Sequence, residues 1–517
     1  MGSLFWLVVA PLIAAILILL LPKLGAMFYR TLAFLGSLVS LVLLLVAWEG
    51  FNTQSTAFQS VSKLHWFTLP NLWNGKDLSI GLSFGVDGLS LTLLTLAVVV
   101  SLLSILAVKA NQERAKEYFF WLSIVSFGLY GVFTALDLFT FLVALEVTLF
   151  STFFLIYLFG EKGRQKAAIK FLIYRGSATV FMLVAFLMIA YGYAGGFAST
   201  AGTTVQSPPS GTLTFDIPTL VNGLHHASAQ LFPIGVRSAV LIVLLFAVFI
   251  EEAFVPFHTW LPTTHEFADT PTSMMVGGIL TKTGAYALLR FGVGMLPGEV
   301  HRWGTLIAVM GVINILYGAF SAWAQKDWRR LIAFGSISHM GLVLLGIAAL
   351  NTAGIQGAIF MLVSSGLLTA LLFYITGAIR ERTHTFQIPV LGGISKSMPM
   401  LSGFLLFAAL GSLGLPLTSG FISEIQAFIG GFATFPAASF VGIGGLILSA
   451  VYLLYAIEKT TFGPPKAKFA ELADARAGEY VPIVVLTALV LIIGIYPAVI
   501  GNVIGQSAHA LLLGMGV

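Results

Sequence analysis

The sequence lacks cysteine, and only 9% of its 517 residues are charged. Without cysteine there is neither a disulfide framework nor a thiolate ligand for an iron–sulfur cluster or haem, so any electron transfer would have to occur on another chain. A charged fraction this small, beside 58% hydrophobic residues, excludes a water-soluble globular domain. The composition therefore predicts a polytopic membrane protein with no cofactor and no metal of its own.

Long apolar runs predict an all-α fold. A membrane-spanning helix needs about 20 apolar residues, and this template gives fourteen spans. Two segments rich in Gly, Ser, Thr and Pro, residues 51–78 and 194–236, are predicted to be loops on the outer face. The predicted spans centre near residues 13, 40, 94, 126, 148, 180, 247, 283, 313, 340, 367, 415, 448 and 491.

The distribution of basic residues predicts the orientation. Most of the 26 Lys and Arg residues lie in the loops after spans one, three, five, nine, eleven and thirteen. Because loops rich in Lys and Arg stay on the cytoplasmic side, both termini are predicted to face outward. This loop bias accounts for the net charge of +5, so no nucleic-acid partner is expected. The predicted location is the cell membrane or an equivalent energy-transducing membrane.

Two predicted spans contain a break. The seventh carries VPFHTWLP and the twelfth carries LGLPLTSG. Discontinuous helices at matching places in two halves are typical of transport sites. We therefore predict an N-terminal segment (1–115), two inverted five-helix repeats (116–295 and 296–465) and a C-terminal helix with its tail (466–517).

A few ionisable residues fall inside the apolar runs. Burying a charge in hydrocarbon costs roughly 2.5–3.5 kcal/mol on insertion scales, so such residues are functional or paired. Acids and bases at similar depth are what proton transfer across a membrane interior requires. The candidates are Glu146 in span five, Arg175 in span six, Glu251 and Glu252 in span seven, Lys282 in span eight, His339 in span ten and Glu424 in span twelve.

Other readings stay open for several polar residues. Glu146 and Lys282 could instead cement neighbouring helices, and His339 could be a satisfied partner in an interhelical hydrogen bond. For His258 and Trp260 beside the first break, packing is the preferred interpretation. Arg290 lies near a helix end, so it is expected to snorkel to water. Asp87 and Asp137 also lie near span ends, where an Asp side chain could cap the N-terminus of a helix.

The motifs GVDGLS, LDLFTFLVALE, VPFHTWLP, GGILTKTGAYALLRF, QKDWRRLIAFGSISHMG and GLPLTSGFISE resemble one family. The chain is similar, from about residue 80 to 465, to the antiporter-like membrane subunits of respiratory NADH:quinone oxidoreductase (complex I), with subunit M the nearest type. The resemblance implies fourteen helices, two inverted repeats and a midplane chain of ionisable residues that moves protons. It also implies partners: other membrane subunits of such an assembly, including related antiporter-like subunits, within the lipid bilayer.

The resemblance also assigns residue roles. It implies proton transfer by Glu146, Lys282 and Glu424, and a tuning or relay role for His339. Two positions depart from the family pattern. Glu251 stands where the family has a lysine, and Ser365 stands where it usually has a histidine.

The first departure suggests a local rearrangement. Two close carboxylates in low dielectric cannot both be ionised, but an arginine on the neighbouring span could neutralise their shared charge without titrating. We therefore predict a Glu146–Arg175–Glu251 triad in which the cation has moved from span seven to span six.

The sequence is compatible with three functions. The first is a proton-translocating subunit of a complex I-like NADH or ferredoxin:quinone oxidoreductase, whose redox chemistry lies on other subunits. The second is a large subunit of a multi-subunit sodium/proton antiporter or of a membrane-bound hydrogenase. The third is a structural spacer that conducts no protons. This function stays an alternative because the lysine and the histidine that the family has at two positions are missing here.

Overall fold

The structure is a computed structural model that describes residues 2–22, 24–73, 76–195, 197, 213–231 and 233–512. Within these ranges the chain forms α-helices and one two-stranded sheet. The helices are α1 (Ser3–Leu20), α2 (Ala26–Glu49), α3 (Gly88–Leu106), α4 (Ala115–Thr134), α5 (Leu138–Phe159), α6 (Arg164–Tyr193), α7 (Ile217–Leu231), α8 (Ile234–Glu251), α9 (Trp260–Phe267), α10 (Thr270–Gly278), α11 (Thr283–Ala287), α12 (Pro297–Arg302), α13 (Gly304–Trp323), α14 (Trp328–Ala348), α15 (Thr352–Thr383), α16 (Pro399–Ser412), α17 (Ser419–Thr434), α18 (Pro436–Ile457), α19 (Tyr480–Ile495) and α20 (Ala498–Leu512).

The predicted spans are found where the apolar runs place them. In the described ranges, 12 helices are long and apolar enough to cross a membrane. The eighth and twelfth predicted spans are additional to these, because each is divided into shorter pieces. The all-α polytopic fold is confirmed.

Close packing against α15 organises the interior. This helix has 32 residues, and its most apolar stretch is wholly buried. Small residues let neighbouring helices approach it: a Cβ atom on Gly354 would lie 2.5 Å from the carbonyl oxygen of Gly346 on α14. Contacts of this kind replace the hydrophobic effect as the source of helix association in lipid.

Both predicted breaks are present. In span seven, α8 ends at Glu251 and α9 begins at Trp260, whose indole N–H donates to the Ile250 carbonyl oxygen (2.9 Å) across the gap. In span twelve, the chain between α16 and α17 includes Gly414 with φ +72° and Leu417 with φ 74°. The left-handed backbone ends each run of helical hydrogen bonds and frees polar backbone groups inside the bundle.

The eighth span is also irregular, which the apolar pattern did not indicate. After α10, residues Leu280–Lys282 form a 3₁₀ turn, α11 follows, and Leu288–Val293 form a π-helix. Both departures from α geometry are common at functional sites. They place Lys282 at a distorted turn in the middle of the molecule.

The prediction of a plain loop over residues 51–78 is wrong. Strands β1 (Gln59–Trp73) and β2 (Lys76–Val86) pair as an antiparallel hairpin. Alternating side chains in VSKLHWF favour a strand, and antiparallel pairing satisfies backbone groups between the two strands. On β2, the Gly81 carbonyl oxygen also accepts from Thr140 of α5 (3.0 Å).

The second predicted loop, 194–236, is wrong in part, because it contains α7. Residues 198–212 of that loop lie outside the described residues. The hairpin and the α7 region meet at one end of the bundle, where Lys63 of β1 donates to Asp216 (2.7 Å).

Basic loops gather at the other end. Glu161, in the loop after α5, accepts from Arg329 at the start of α14 (3.1 Å) and from Arg380 near the end of α15 (2.6 Å). Three loops that the charge bias assigns to one side of the membrane therefore meet on one face.

Candidate functional site

Arg175 and Glu251 meet inside the first half of the protein. Arg175 on α6 is 1% exposed and Glu251 at the end of α8 is 2% exposed. One guanidinium nitrogen donates directly to Glu251 Oε1, and the other donates to the Glu251 backbone carbonyl oxygen (3.4 Å). The rings of Phe171 and Trp260 flank the guanidinium, each centroid 5.7 Å away. The predicted pairing of these two side chains is present.

Glu146 stands further from this pair. It is only partly buried on α5, interacts with Thr179 of α6, and feels the charges of Arg175 and Glu251 through space. Among the described residues it forms no ion pair within 4 Å. The predicted triad is therefore a direct pair with a third group in electrostatic contact, and its role in transport stays a prediction.

Glu252, a candidate that is not part of the predicted triad, belongs to the same cluster. Its side chain is fully buried, and Oε1 accepts the backbone N–H of Ala285 (2.7 Å). Gly284 makes this approach possible, because a Cβ atom there would lie 2.8 Å from Glu252 Cγ. Two adjacent acids in an apolar span are a visible signal, but the sequence does not indicate which acid faces the eighth span.

Lys282 occupies the distorted turn of the eighth span and is fully buried. Its Nζ donates to the Gly277 carbonyl oxygen (3.1 Å) and to Thr281 Oγ1 (3.2 Å). It interacts electrostatically with Glu252. An ammonium group held mainly by neutral acceptors depends on nearby acids for its charge.

Two histidines lie within electrostatic reach of Lys282. His265 on α9 is fully buried and stacks on Phe373 of α15, with ring centroids 4.3 Å apart. His339 on α14 borders a narrow cleft with Ser336 and Tyr452. Within the described part of the chain, both ring nitrogens of His265 and Nε2 of His339 have no hydrogen-bond partner. His339 also has a hydrogen-bonding interaction with the backbone of Ser412 on α16, so its interpretation as an interhelical hydrogen-bond partner stays open beside the relay role.

Glu424 sits just after the second break, at the start of α17, and is 6% exposed. Its carboxylate packs against Gly414, where a Cβ atom would collide with it. The charge of Glu424 also acts on the buried Tyr452 of α18, which borders the cleft beside His339.

Ser365 is buried on α15 and donates to the Leu362 carbonyl oxygen (3.4 Å). The family histidine position thus holds a satisfied hydroxyl.

Arg290 corrects one expectation. It does not snorkel to water but is 5% exposed and donates to both carboxylate oxygens of Asp87 (2.7 and 2.8 Å). Asp87 also caps α3 by accepting the N–H of Ser90 (2.8 Å), and Asp137 likewise caps α5. The bidentate pair joins α3 to the π-helix and satisfies both charges internally.

His258 packs against Tyr317 with ring centroids 4.8 Å apart, in agreement with the packing interpretation. Over the described ranges, no three His, Asp or Glu side chains gather as metal ligands would.

Several acids and bases of the interior act on one another's charge, which is what proton transfer between side chains requires. The interacting pairs are Glu251 with Glu252, Glu252 with Lys282, Lys282 with His265 and with His339, and Glu424 with Tyr452. Fold and site together define a polytopic helical membrane protein in which each of the two broken spans presents a buried carboxylate and the eighth span carries a buried lysine.

Comparisons with known proteins agree with this class. Residues 135–449 match a family described as "NADH:quinone oxidoreductase/Mrp antiporter, TM". The chain belongs to this family of antiporter-like membrane proteins. It is 34% identical over 514 residues to NAD(P)H-quinone oxidoreductase chain 4 1 of Synechococcus elongatus, covering 98% of this chain and 90% of the relative. The resemblance to the subunit M type is thereby confirmed.

Solved structures show the same fold. A chain of respiratory complex I from Thermus thermophilus is 25% identical, with a TM-score of 0.85 and coverage of 99% of this chain and 100% of that chain. A chain of the Mrp complex from Dietzia sp. is 20% identical, with a TM-score of 0.82 and coverage of 99% and 97%. The second likeness concerns the fold alone.

Proposed function

We propose that this chain moves protons across an energy-transducing membrane as an antiporter-like subunit, of the subunit M or chain 4 type, in a complex that reduces quinone. The redox steps take place on other subunits, and related antiporter-like subunits are its neighbours. The basic loops that meet around Glu161 face the cytoplasm, and both termini face outward.

One observation carries this proposal: Lys282 lies fully buried at a distorted turn, within electrostatic reach of an acid of the first broken span and a histidine of the second half. A charge in such a place is stable only when it is paired with an opposite charge or when the group can gain or lose a proton and become neutral. A group of the second kind transfers protons. The identity to a quinone oxidoreductase chain over almost the full length supports coupling to quinone reduction.

The test uses the whole complex reconstituted in lipid vesicles. Quinone reduction and vesicle acidification are measured together for Lys282→Ala, Glu424→Gln and Glu251→Gln. Lys282→Ala and Glu424→Gln should each lower the rate of acidification through this chain at least about tenfold, because positioned acid–base groups contribute that much or more to a proton-transfer rate. Glu251→Gln should lower it by a different route, since it breaks the buried ion pair with Arg175. Lys459→Ala is the matched control, since its side chain is exposed and interacts with its near neighbours Glu458 and Tyr455.

Two other outcomes would replace the proposal. Unchanged coupling in all three variants would make the chain a structural spacer. Acidification that requires sodium and continues without quinone reduction would favour a sodium/proton antiporter subunit, whose fold the Dietzia complex shares.

A further inference from the structure

Glu251 and Glu252 are adjacent in sequence but differ in their donors. Oε1 of Glu251 accepts from the Arg175 guanidinium and from Thr283 Oγ1 (3.1 Å). An arginine does not lose its proton in proteins, so the negative charge of Glu251 has a permanent counter-charge. Taking up a proton would break a direct buried ion pair, which is unfavourable. Glu251 is therefore suited to stay ionised.

Glu252 lacks such a partner. Its Oε1 accepts the N–H of Ala285, whereas Oε2 has no hydrogen-bond partner among the described residues. The side chain is fully buried. A buried carboxylate oxygen without a donor is costly, and a proton on that oxygen removes the charge that causes the cost.

Lys282 presents the complementary situation. Two of its three ammonium hydrogens can be used by the Gly277 carbonyl and Thr281 hydroxyl, both neutral. Its electrostatic partner is Glu252. The two groups are not in direct ion-pair contact, since no described pair between them lies within 4 Å. A bridging water, held by the free Oε2 and the third ammonium hydrogen, would close such a gap.

We propose that Glu252 is the carboxyl that exchanges a proton with Lys282. Glu251 and Arg175 form a fixed ion pair, which keeps the electrostatic potential around this exchange constant. In the transfer, an N–H bond of the Lys282 ammonium breaks and an O–H bond forms at Glu252 Oε2. The ion pair becomes a neutral carboxylic acid and a neutral amine. Net charge is unchanged, so the exchange needs no counter-ion within the membrane. This inference rests on the proposed function and names the acid through which the first half reaches Lys282.

The surrounding groups support this division of roles. Arg175 on α6 and Glu251 on α8 act on Glu252, and Glu146 on α5 acts in turn on those two. His265 on α9 and His339 on α14 act on Lys282. A neutral Lys282 lowers the repulsion on a protonated histidine, so the histidines can take the next proton once Glu252 has received the first.

The experiment compares Glu252→Gln, Glu252→Asp, Glu251→Gln and Lys282→Ala in the reconstituted complex. Proton pumping per quinone is one readout. The other is the infrared carbonyl-stretch band of a protonated carboxylic acid, recorded with and without deuterium exchange. Glu252→Gln should remove such a band and reduce pumping at least about tenfold. Glu252→Asp should restore part of the pumping because it keeps a titratable carboxyl, and Glu251→Gln should retain the band.

The outcomes separate the two proposals. Normal pumping in Glu252→Gln, with pumping lost in Lys282→Ala, would overturn the assignment of Glu252 and leave the proposed function intact. Normal pumping in both would overturn both. If Glu252→Gln fails to assemble, Glu252→Asp decides: a missing protonated-carboxyl band in that assembled variant would contradict the inference.

Discussion

Arg175 of α6 and Glu251 of α8 form a direct ion pair at the first broken helix, with both side chains almost completely buried. The resemblance places a lysine on the broken helix itself. Here that helix carries the acid and the neighbouring helix carries the cation. The cation has thus moved to the neighbouring helix, and, with Glu146 counted, the three side chains of the predicted triad carry one more negative charge than the Glu–Lys pair that the resemblance implies.

Removing one member of this pair should be costly. Arg175→Gln leaves a buried carboxylate unpartnered, and Glu251→Gln leaves a buried guanidinium unpartnered, so each should destabilise the protein by about 3–5 kcal/mol. The double variant should cost less than the sum of the two. Thermal unfolding of the detergent-solubilised complex measures all three.

A charge exchange sharpens this test. Arg175→Ser combined with Glu251→Lys restores the arrangement that the resemblance implies, and it should pump better than Glu251→Lys alone, where two cations meet. Equal pumping by both variants would show that the position of the cation is irrelevant.

Gly414 should tolerate no side chain. Its φ of +72° costs an ordinary residue about 1–2 kcal/mol, and a Cβ atom there would collide with the Glu424 carboxylate. Gly414→Ala should lower both thermal stability and proton pumping.

Gly403→Ala is the matched control for that change. Gly403 lies inside α16, and a Cβ atom added there would have no neighbouring atom within 4 Å. Because alanine favours a helix over glycine by about 0.5–1 kcal/mol, this variant should be as stable as the parent or more so. A Gly414→Ala protein with parental stability would contradict the described break.

The Asp87–Arg290 pair should contribute strongly to stability. Asp87→Asn keeps an oxygen that can cap α3 but removes the charge beside Arg290, so it isolates the ion pair from the cap. The expected loss is about 3–5 kcal/mol. Arg302→Gln serves as the comparison, since it is a half-exposed residue 3.7 Å from Glu299 and should change stability by about 0–1 kcal/mol.

Much of this fold follows from the sequence, because lipid imposes one simple requirement on every span. Apolar length located the spans, and Pro and Gly located both breaks. The pairing of Arg175 with Glu251 was also predictable, since two buried charges of opposite sign on neighbouring spans need each other. These inferences depend on local pattern or on adjacent elements.

Long-range relations were harder to predict. The pairing of Arg290 cannot be predicted from local pattern, because its partner, Asp87, lies about two hundred residues earlier in the chain. The distortion at Lys282 leaves no mark in an apolar run, and the polar residues around VSKLHWF indicate a loop although its own side chains alternate. Which of two adjacent glutamates faces the eighth span depends on helix rotation, which composition does not fix.

The hairpin end of the molecule should respond to pH through Asp137. Burial raises the pKa of Asp137 to about 6, against an ordinary value of 3.8. Between these values the folded state binds the proton more tightly than the unfolded state, so Asp137 favours folding at low pH and this contribution is lost as pH rises through 6. Asp137→Asn should remove the decline, as measured by thermal unfolding from pH 4 to 8.

Asp216 should have the opposite effect. Burial raises its pKa, but hydrogen bonds from Lys63 and Thr219 outweigh that cost and hold the pKa below 3.8. Its contribution is present above pH 3.8 and lost as pH falls through the lower folded value. Asp216→Asn should therefore reduce stability at neutral pH, whereas an effect of the same sign as Asp137→Asn would refute this account.

The length of α15 has a consequence for the bilayer. At 1.5 Å per residue its 32 residues extend about 48 Å, well beyond the roughly 30 Å thickness of the hydrocarbon. Because its apolar stretch touches protein throughout, this excess length does not force the surrounding lipid to thicken. Hydrophobic matching is left to peripheral helices such as α13, whose 20 residues extend about 30 Å. The membrane thickness that the protein prefers is therefore set by its peripheral helices and not by the length of the central one.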